Sequence, residues 1–404
     1  MHVLGITDYL GNVGGAEISA STILTTLAER DDVDRVTVVG IAAPEADRLD
    51  FGAAEVVPVS PPPAADSLPD FAVDLLAERR LARAAEDRVA TADVVHSHHR
   101  RSTLALSYLD IDVPTVATVR DFWPACPISI YHVGGEACTG CNDQLDGCME
   151  YQGWDGLSEP VTKAYLLAKR RHQRPALEAA DCAVFIAAHL QERLSDDIAM
   201  PDRTETIYNP VELNVDLRPA SFDEPTFVTA SSLTDSKGVE IAVRAVGRLH
   251  ENYSDARLLV FGDGPLWDDL EELAADVAPE AVEFHGRVPL DEVYAAMKGA
   301  TATIFPSMWD EPFGRVTVES MILGTPVVGS DVGGIAEIID DERTGLLFPP
   351  GDEVALAAAL RRLCADDQLA GRLAAAAQER STTFDPERVA RDHRKLYGSL
   401  LELD

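Results

Sequence analysis

Short apolar runs alternate along the whole chain with longer stretches in which apolar residues recur every three or four positions. The short runs read as buried strands and the longer stretches as amphipathic helices, the pattern of parallel sheets covered by helices on both faces. In the first half the pattern predicts strands at His2 to Thr7, Val36 to Ile41, Asp93 to Ser97, Thr115 to Val119, Cys182 to Ile186 and Thr206 to Tyr208. Helices such as Ala16 to Arg30 and Pro69 to Ala90 separate them, and the Pro-rich stretch Pro58 to Pro69 reads as an extended connector. Asn209-Pro210 opens a stretch without periodicity that runs to Pro225, after which a second series begins. Its strands are expected at Thr226 to Ser231, Arg257 to Phe261, Val282 to His285, Thr301 to Phe305, Pro326 to Gly329 and Gly345 to Phe348. Ala-rich helices follow from Asp352 to Arg380, and an amphipathic segment, Pro386 to Leu401, comes last. The fold class is therefore α/β, with two doubly wound, Rossmann-like domains whose binding loops are expected to line a cleft between them.

Composition adds a constraint on partners. The 404 residues carry 69 acidic against 34 basic side chains, a formal charge of −35, while 46% hydrophobic residues supply material for two cores. The acidity is thus a surface property, and nucleic acid becomes a poor partner. Only Lys163, Lys169, Lys237, Lys298 and Lys395 are lysines, a bias that points to a salt-loving organism, where a screening length of about 3 Å or less makes such self-repulsion tolerable. No basic leader precedes the first strand and no apolar run approaches the roughly 18 residues of a membrane span, so a cytoplasmic location is expected.

Two segments carry candidate chemistry. Gly11-Asn12-Val13-Gly14-Gly15-Ala16-Glu17 links the first strand to a helix. It reads either as a phosphate cradle at a helix N-terminus or as a plain tight turn. Its spacing is not that of a dinucleotide fingerprint. The second is Ser307 to Glu319, in which Glu311 and Glu319 flank Pro312-Phe313-Gly314. Glu311 is expected in a loop and Glu319 inside the next helix, in an apolar setting where an unpartnered carboxylate would be costly. Main-chain N–H groups from Phe313 to Arg315 suit a diphosphate.

The segment Glu311 to Glu319 resembles the E-x7-E element of the group 1 family of retaining GT-B glycosyltransferases, and the resemblance extends over nearly the whole chain. Gly324-Thr325-Pro326, Gly333-Gly334-Ile335-Ala336-Glu337 and Thr344-Gly345-Leu346-Leu347 follow it in the family's order. Lys237-Gly238-Val239, Phe261-Gly262-Asp263-Gly264-Pro265 and Phe284-His285-Gly286-Arg287-Val288 precede it. The resemblance implies a nucleotide-sugar donor held by residues 213–382. Lys237 would neutralise the diphosphate, Glu319 accept the ribose hydroxyls, Glu311 face the donor sugar, and the backbone at Arg287 and Val288 hold the base. Gly262, Phe313, Gly314 and Arg315 would contribute to the same site, with Gly14 and Gly15 closing over the phosphates from an acceptor-side domain, residues 1–212. The last helix, within 383–404, would cross back to that domain. For Lys237 the alternative is an ordinary solvated lysine.

Two positions depart from the family. Ser231-Ser232 replaces the usual Gly-Arg, for which Arg287 or Arg315 could substitute. Arg120-Asp121 stands where His-Asp is common. Arg120 cannot act as a base, and reads either as a phosphate ligand or as an ion-pair partner of Asp121. His96, His98 and His99 end a strand at the expected cleft. One of them, His98 first and His96 on the acceptor side, is expected to contact substrate, the alternative being a hydrogen-bonded core histidine. Cys126, Cys138, Cys141 and Cys148 fall in a Cys-rich loop, 122–153, with C-x11-C-x2-C-x6-C spacing. This reads as a structural zinc site, with disulfides, an Fe–S centre or free thiols as alternatives. No cofactor is expected in catalysis. The acceptor is expected to be a glycan, a lipid-linked or a small hydroxyl compound, a lipid-linked one bringing the protein to the inner face of a membrane. The rival readings are a GT-B sugar-phosphate synthase or epimerase, and a scaffold that keeps the fold without turnover.

Overall fold

The computed structural model describes the chain except residues 44–46, 64–69, 134–135, 139–140, 142–144, 152–158, 214–215 and 403–404. It divides into two compact units. The first comprises Met1–Tyr131, Thr139–Pro210 and Phe384–Asp404, and the second His132–Cys138 and Val211–Thr383.

In the first unit the strands are β1 (His2–Tyr9), β2 (Arg35–Ile41), β3 (Glu55–Val59), β4 (Val94–Ser97) and β5 (Thr115–Val119). A short antiparallel hairpin, β6 (His132–Val133) and β7 (Glu136–Ala137), belongs to the second unit; β8 (Cys182–Phe185) and β9 (Arg203–Thr206) complete the first. Its sheet runs β3-β2-β1-β4-β5-β8-β9, parallel throughout. Helices α1 (Gly15–Ala28), α2 (Asp70–Val89), α3 (Arg100–Leu106), α4 (Leu145–Tyr151), α5 (Glu159–Gln173) and α6 (Ala188–Ser195) lie between strands. The central strands are apolar on both faces because both are covered: Val3 and Val38 pack under α1 with Ile23 and Leu27, while Leu4, Ile6 and Val95 pack under α2 with Leu81 and Ala85.

The second unit repeats the plan with β10 (Thr226–Ala230), β11 (Arg257–Phe261), β12 (Val282–Gly286), β13 (Ala302–Phe305), β14 (Val327–Ser330) and β15 (Leu346–Phe348), in the order β12-β11-β10-β13-β14-β15. Its helices are α7 (Val239–Leu249), α8 (Trp267–Val277), α9 (Leu290–Gly299), α10 (Arg315–Leu323), α11 (Gly333–Ile338), α12 (Glu353–Ala365) and α13 (Asp367–Ser381). The final helix, α14 (Pro386–Leu400), packs on α1 in the first unit. Each sheet reverses direction once, between β1 and β4 and between β10 and β13. At such a switch point neighbouring loops part and leave a crevice at the strand C-termini. The loops there carry Gly14 and His98 in one unit, Lys237 and Glu311 in the other.

The structure differs from the sequence reading at several places. Strand β3 holds Pro58, which the pattern assigned to a connector; the strand is at the sheet edge, where a missing N–H is tolerated. From residue 64 that connector lies outside the described residues. Strand β9 sits three residues before its expected start. Residues 132–138, expected with 1–212, belong to the second unit. The Ala-rich helices, by contrast, form as expected, parted at Asp366, whose carboxylate accepts from Leu369 N at 2.9 Å and caps α13. Among the described residues no helix is long and apolar enough to cross a membrane.

Three imidazoles lie inside the first unit. His96 is fully buried; its Nδ1 meets Tyr397 Oη at 2.6 Å and its Nε2 meets Thr118 Oγ1 at 2.7 Å, which ties β4 to α14 and β5. Its ring is 3.9 Å from that of His98 and 5.4 Å from that of His393. Burial holds all three below the usual histidine range, His393 at about 4, and the Arg120 guanidinium opposes charging them further. A histidine whose folded pKa is depressed is protonated first in the unfolded chain, so stability is lost as pH falls from about 6.5 toward 4. Urea unfolding between pH 7.5 and 4.5 is expected to show each such histidine costing about 1.4 kcal/mol per pH unit. His393→Leu should reduce that slope by about one proton's worth; an unchanged slope would contradict the assignment.

Candidate functional site

In the second unit, close backbone approaches fix the loops at the switch point. Gly262 adopts φ +124°, and a Cβ there would stand 1.8 Å from the carbonyl oxygen of Ser231. The loops after β10 and β11 are therefore in main-chain contact. Gly238, at φ +60°, brings the turn after Lys237 against Pro306 in the same way, a Cβ falling 2.2 Å from the Pro306 oxygen. Gly334 N donates to Glu311 O at 2.6 Å, which anchors the loop after β13 on the start of α11. None of these positions accepts a side chain without moving a loop.

The anchored loops bring Lys237 and Glu311 together. Lys237 Nζ donates to Glu311 Oε2 at 2.6 Å, Trp309 Nε1 to the same oxygen at 2.7 Å, and Ser307 Oγ at 3.2 Å. The ammonium also lies 5.0 Å from the centre of the Trp309 ring. Both side chains of the pair are mostly buried, at 19% and 13% exposure. Lys237 keeps N–H donors for an anion, and the three donors all use one oxygen of Glu311. The adjacent helix α10 begins at Gly314, φ +82°, with no side chain capping it. Its first N–H groups are a second place for negative charge.

Beside this cluster lies a pocket of about 410 Å³ whose walls include Ser232, Gly262, Arg287, Val288, Tyr294 and Glu319. Glu319 is buried on α10, and its Oε1 accepts from Arg315 Nε at 2.8 Å; Tyr294 supplies a further hydrogen bond. Burial raises the Glu319 carboxyl above the usual range, and Arg315 and Tyr294 oppose the rise. Arg315 is thus held by Glu319, and Arg287 is exposed, 4.0 Å from Asp263. Arg315, one of the two residues expected to stand in for the absent family arginine, has its Nε on the buried carboxylate. Phe313 is buried beneath the turn, against Gly334.

In the first unit, Gly14 is extended and α1 starts at Gly15 without a side-chain cap. A Cβ on Gly15 would meet nothing, and one on Gly14 only Glu17 Oε2 at 3.5 Å. No internal packing demands glycine here, as befits a loop left open to a ligand. Glu17, in the first turn of α1, was not singled out by the sequence. It is buried among Asp8, His99 and Arg120, and burial raises its carboxyl despite the Arg120 guanidinium. The only signal for it was an acidic residue on the apolar side of α1.

Arg120 is also buried. Its Nε donates to His98 O at 2.9 Å and its Nη1 to Asn209 Oδ1; burial brings it down to about 10, with Glu17 opposing. The expected ion pair with Asp121 is not made: Asp121 Oδ1 accepts from Trp123 N at 2.7 Å, and Oδ2 lies 3.7 Å from His99 Nε2. His98 is fully buried with Nε2 lacking a partner. His96, expected on the acceptor side, is a core residue with both ring nitrogens engaged, because its strand register turns it toward α14. His99 is the more exposed of the three, and its Nδ1 accepts from Arg100 N at 2.7 Å. That bond leaves Nε2 as the protonated nitrogen. Cys126, Cys141 and Cys148 fall in the first unit and Cys138 in the second, all buried. Among the described residues no three His, Cys, Asp or Glu side chains gather to hold a metal ion. Parts of the 122–153 loop lie outside the described residues.

The chain belongs to the glycosyltransferases: the profile Glycosyltransferase Family 4 matches residues 13–215, half of it, and Glycosyl transferases group 1 matches residues 218–380. It is 35% identical over 163 residues to a glycogen synthase of Mycobacterium tuberculosis, covering 40% of this chain and 39% of that one. The chain thus spans about two fifths of that relative's length. Among solved structures it resembles sucrose-phosphate synthase from Thermosynechococcus elongatus, with TM-score 0.76 and 20% identity over 100% of both chains. It also resembles HepE of Anabaena in complex with UDP, with TM-score 0.71 and 19% identity over 99% of this chain and 100% of that one. At these identities the likeness is one of fold, and it shows the two Rossmann-like domains to be of the GT-B type.

Gly262→Ala is expected to lower stability by about 2 kcal/mol or more, because φ and the Ser231 carbonyl both oppose a methyl group. Chemical denaturation measures it. Gly15→Ala, where nothing is displaced, is expected to leave stability within about 1 kcal/mol while weakening any ligand that approaches that backbone.

Proposed function

We propose that this member of the family transfers a sugar from a nucleoside diphosphate sugar to a hydroxyl of a glycan, lipid-linked or small acceptor, with retention at the anomeric carbon. The observation that carries the reading is the Lys237–Glu311 pair at a switch point, with the buried Glu319 carboxylate in the adjoining pocket. In this reading the two phosphates lie against Lys237 and the N-terminus of α10, which take up charge as the diphosphate departs. Glu319, kept acceptor-rich by Arg315 and Tyr294, receives the ribose hydroxyls. The base stands against the wall formed by Arg287 and Val288, and Glu311 faces the sugar. The acceptor enters from the side the diphosphate leaves, and closure of the site keeps water from the donor. HepE was solved with UDP and with UDP-glucose, which makes a uridine donor the first to try. The acidic surface suits a salt-rich cytoplasm, and a lipid-linked acceptor places the enzyme at the inner face of the membrane.

The test is nucleotide release from UDP-, GDP-, ADP- and dTDP-sugars in molar KCl, with Lys237→Ala and Glu311→Ala beside the wild type. One donor is expected to be turned over, slowly without acceptor, and each variant to lose about a hundredfold or more. A folded wild-type protein that binds a nucleotide tightly and turns over none of these donors would instead favour the scaffold reading, in which Ser231-Ser232 marks lost chemistry.

A further inference from the structure

We propose that His132 is a further substrate-contacting residue of this site, its ring nitrogens receiving hydroxyl groups of the glycosyl or acceptor part of the substrate. The inference rests on the donor reading given above and adds to it a residue from outside the family motifs.

Residues His132–Cys138 lie in the N-terminal half of the sequence and yet belong to the second unit. They form the hairpin of β6 and β7, with His132 opposite Ala137. The backbone that leads in is strained: Ser129 at φ +67° and Tyr131 at φ +49° are two of the five non-glycine residues with left-handed backbone among the described ones. Such conformations persist where surrounding structure over-determines them, and they gather at ligand sites. What they deliver is an imidazole that is 2% exposed and has no hydrogen-bond partner on either Nδ1 or Nε2. A buried polar atom left unpaired costs on the order of 1 to 3 kcal/mol, and here two share one ring.

The charged groups that act on the ring bear on the kind of partner it would accept. They are Asp235, which opens the turn ending at Lys237, and Asp310, which immediately precedes Glu311. Two carboxylates on this side repel phosphate, which goes to Lys237 and α10. They welcome groups that donate hydrogen bonds. Burial, the largest influence, keeps the ring below the usual histidine range in spite of both aspartates. A neutral imidazole offers one donor and one acceptor, the complement of a hydroxyl or a vicinal pair of them.

The experiment compares the full-length wild type with His132→Ala and His132→Gln in calorimetric titrations with free UDP, GDP, ADP and dTDP and with their glucose conjugates. Nucleotide release with and without methyl glucosides as acceptor probes is measured in parallel. If the hydroxyl is the donor's, His132→Ala binds free nucleotide as the wild type does and the conjugate about tenfold more weakly, a single hydrogen bond's worth. If it is the acceptor's, both affinities hold and the acceptor KM rises by about the same factor. His132→Gln, which keeps a hydrogen-bonding amide, regains part of either loss. The inference falls if no parameter changes, or if free-nucleotide affinity drops as much as conjugate affinity, the mark of a purely structural residue. Wild-type protein that binds no nucleotide, with Lys237→Ala then silent, brings down the donor reading and this inference with it.

Discussion

Lys237 and Glu311 are 74 residues apart and meet at 2.6 Å because three stretches of main chain touch where a side chain would have kept them apart. Glycine at 238 and 262 permits those contacts, and the hydrogen bond from Gly334 to Glu311 closes the arrangement. Both side chains of the pair are mostly buried, so their attraction is offset by the cost of drying both charges. It is better regarded as a poised exchange than as a source of stability. An incoming anion can take donors from Lys237 without stranding Glu311, since Trp309 and Ser307 remain on the same oxygen.

The neighbouring carboxylate, Glu319, solves a different problem. Burial among apolar residues favours its protonated form, which has less to offer as an acceptor. Arg315, one helical turn earlier, and Tyr294, from α9, oppose that. The Arg315 guanidinium is oriented by its contact with Glu319 through Nε. The buried carboxylate thus holds its own counter-ion one helical turn away on the same helix.

Much of this was legible in the sequence. Strand and helix order follows from apolar periodicity, and the glycine-rich landmarks fix which loops converge, because glycine at a strand end has few other uses. What stayed hidden depends on tertiary placement. Pro58 looks like a strand breaker until the strand proves to be an edge. His96 lies on β4 and His98 just past its end, and nothing local says that Tyr397, 301 residues away, will claim the first. Arg120 and Asp121 are adjacent and opposite in charge, yet adjacent side chains on extended backbone point to opposite faces, so each finds another partner. Glu17 carried no motif value of its own. Its importance comes from Arg120 and His99 arriving from other strands.

On the donor reading proposed above, the surface charge bears on how the substrate would reach this site. With a net charge of −35, the long-range field repels a nucleoside diphosphate sugar, and only the short-range contacts attract it. Lys163 and Lys395 are paired with Glu159 and Asp392, and Lys298 donates to the Leu217 carbonyl, so these three lysines offer little compensation at a distance. Salt separates the two effects by length. At physiological ionic strength the screening length is about 8 Å, and at 1 M about 3 Å, so rising salt first removes repulsion from distant carboxylates and only later weakens a contact made at hydrogen-bond distance. The acidic surface and the mostly buried lysine are therefore compatible in concentrated salt, where the field that would exclude such a donor collapses and a contact at hydrogen-bond distance would survive.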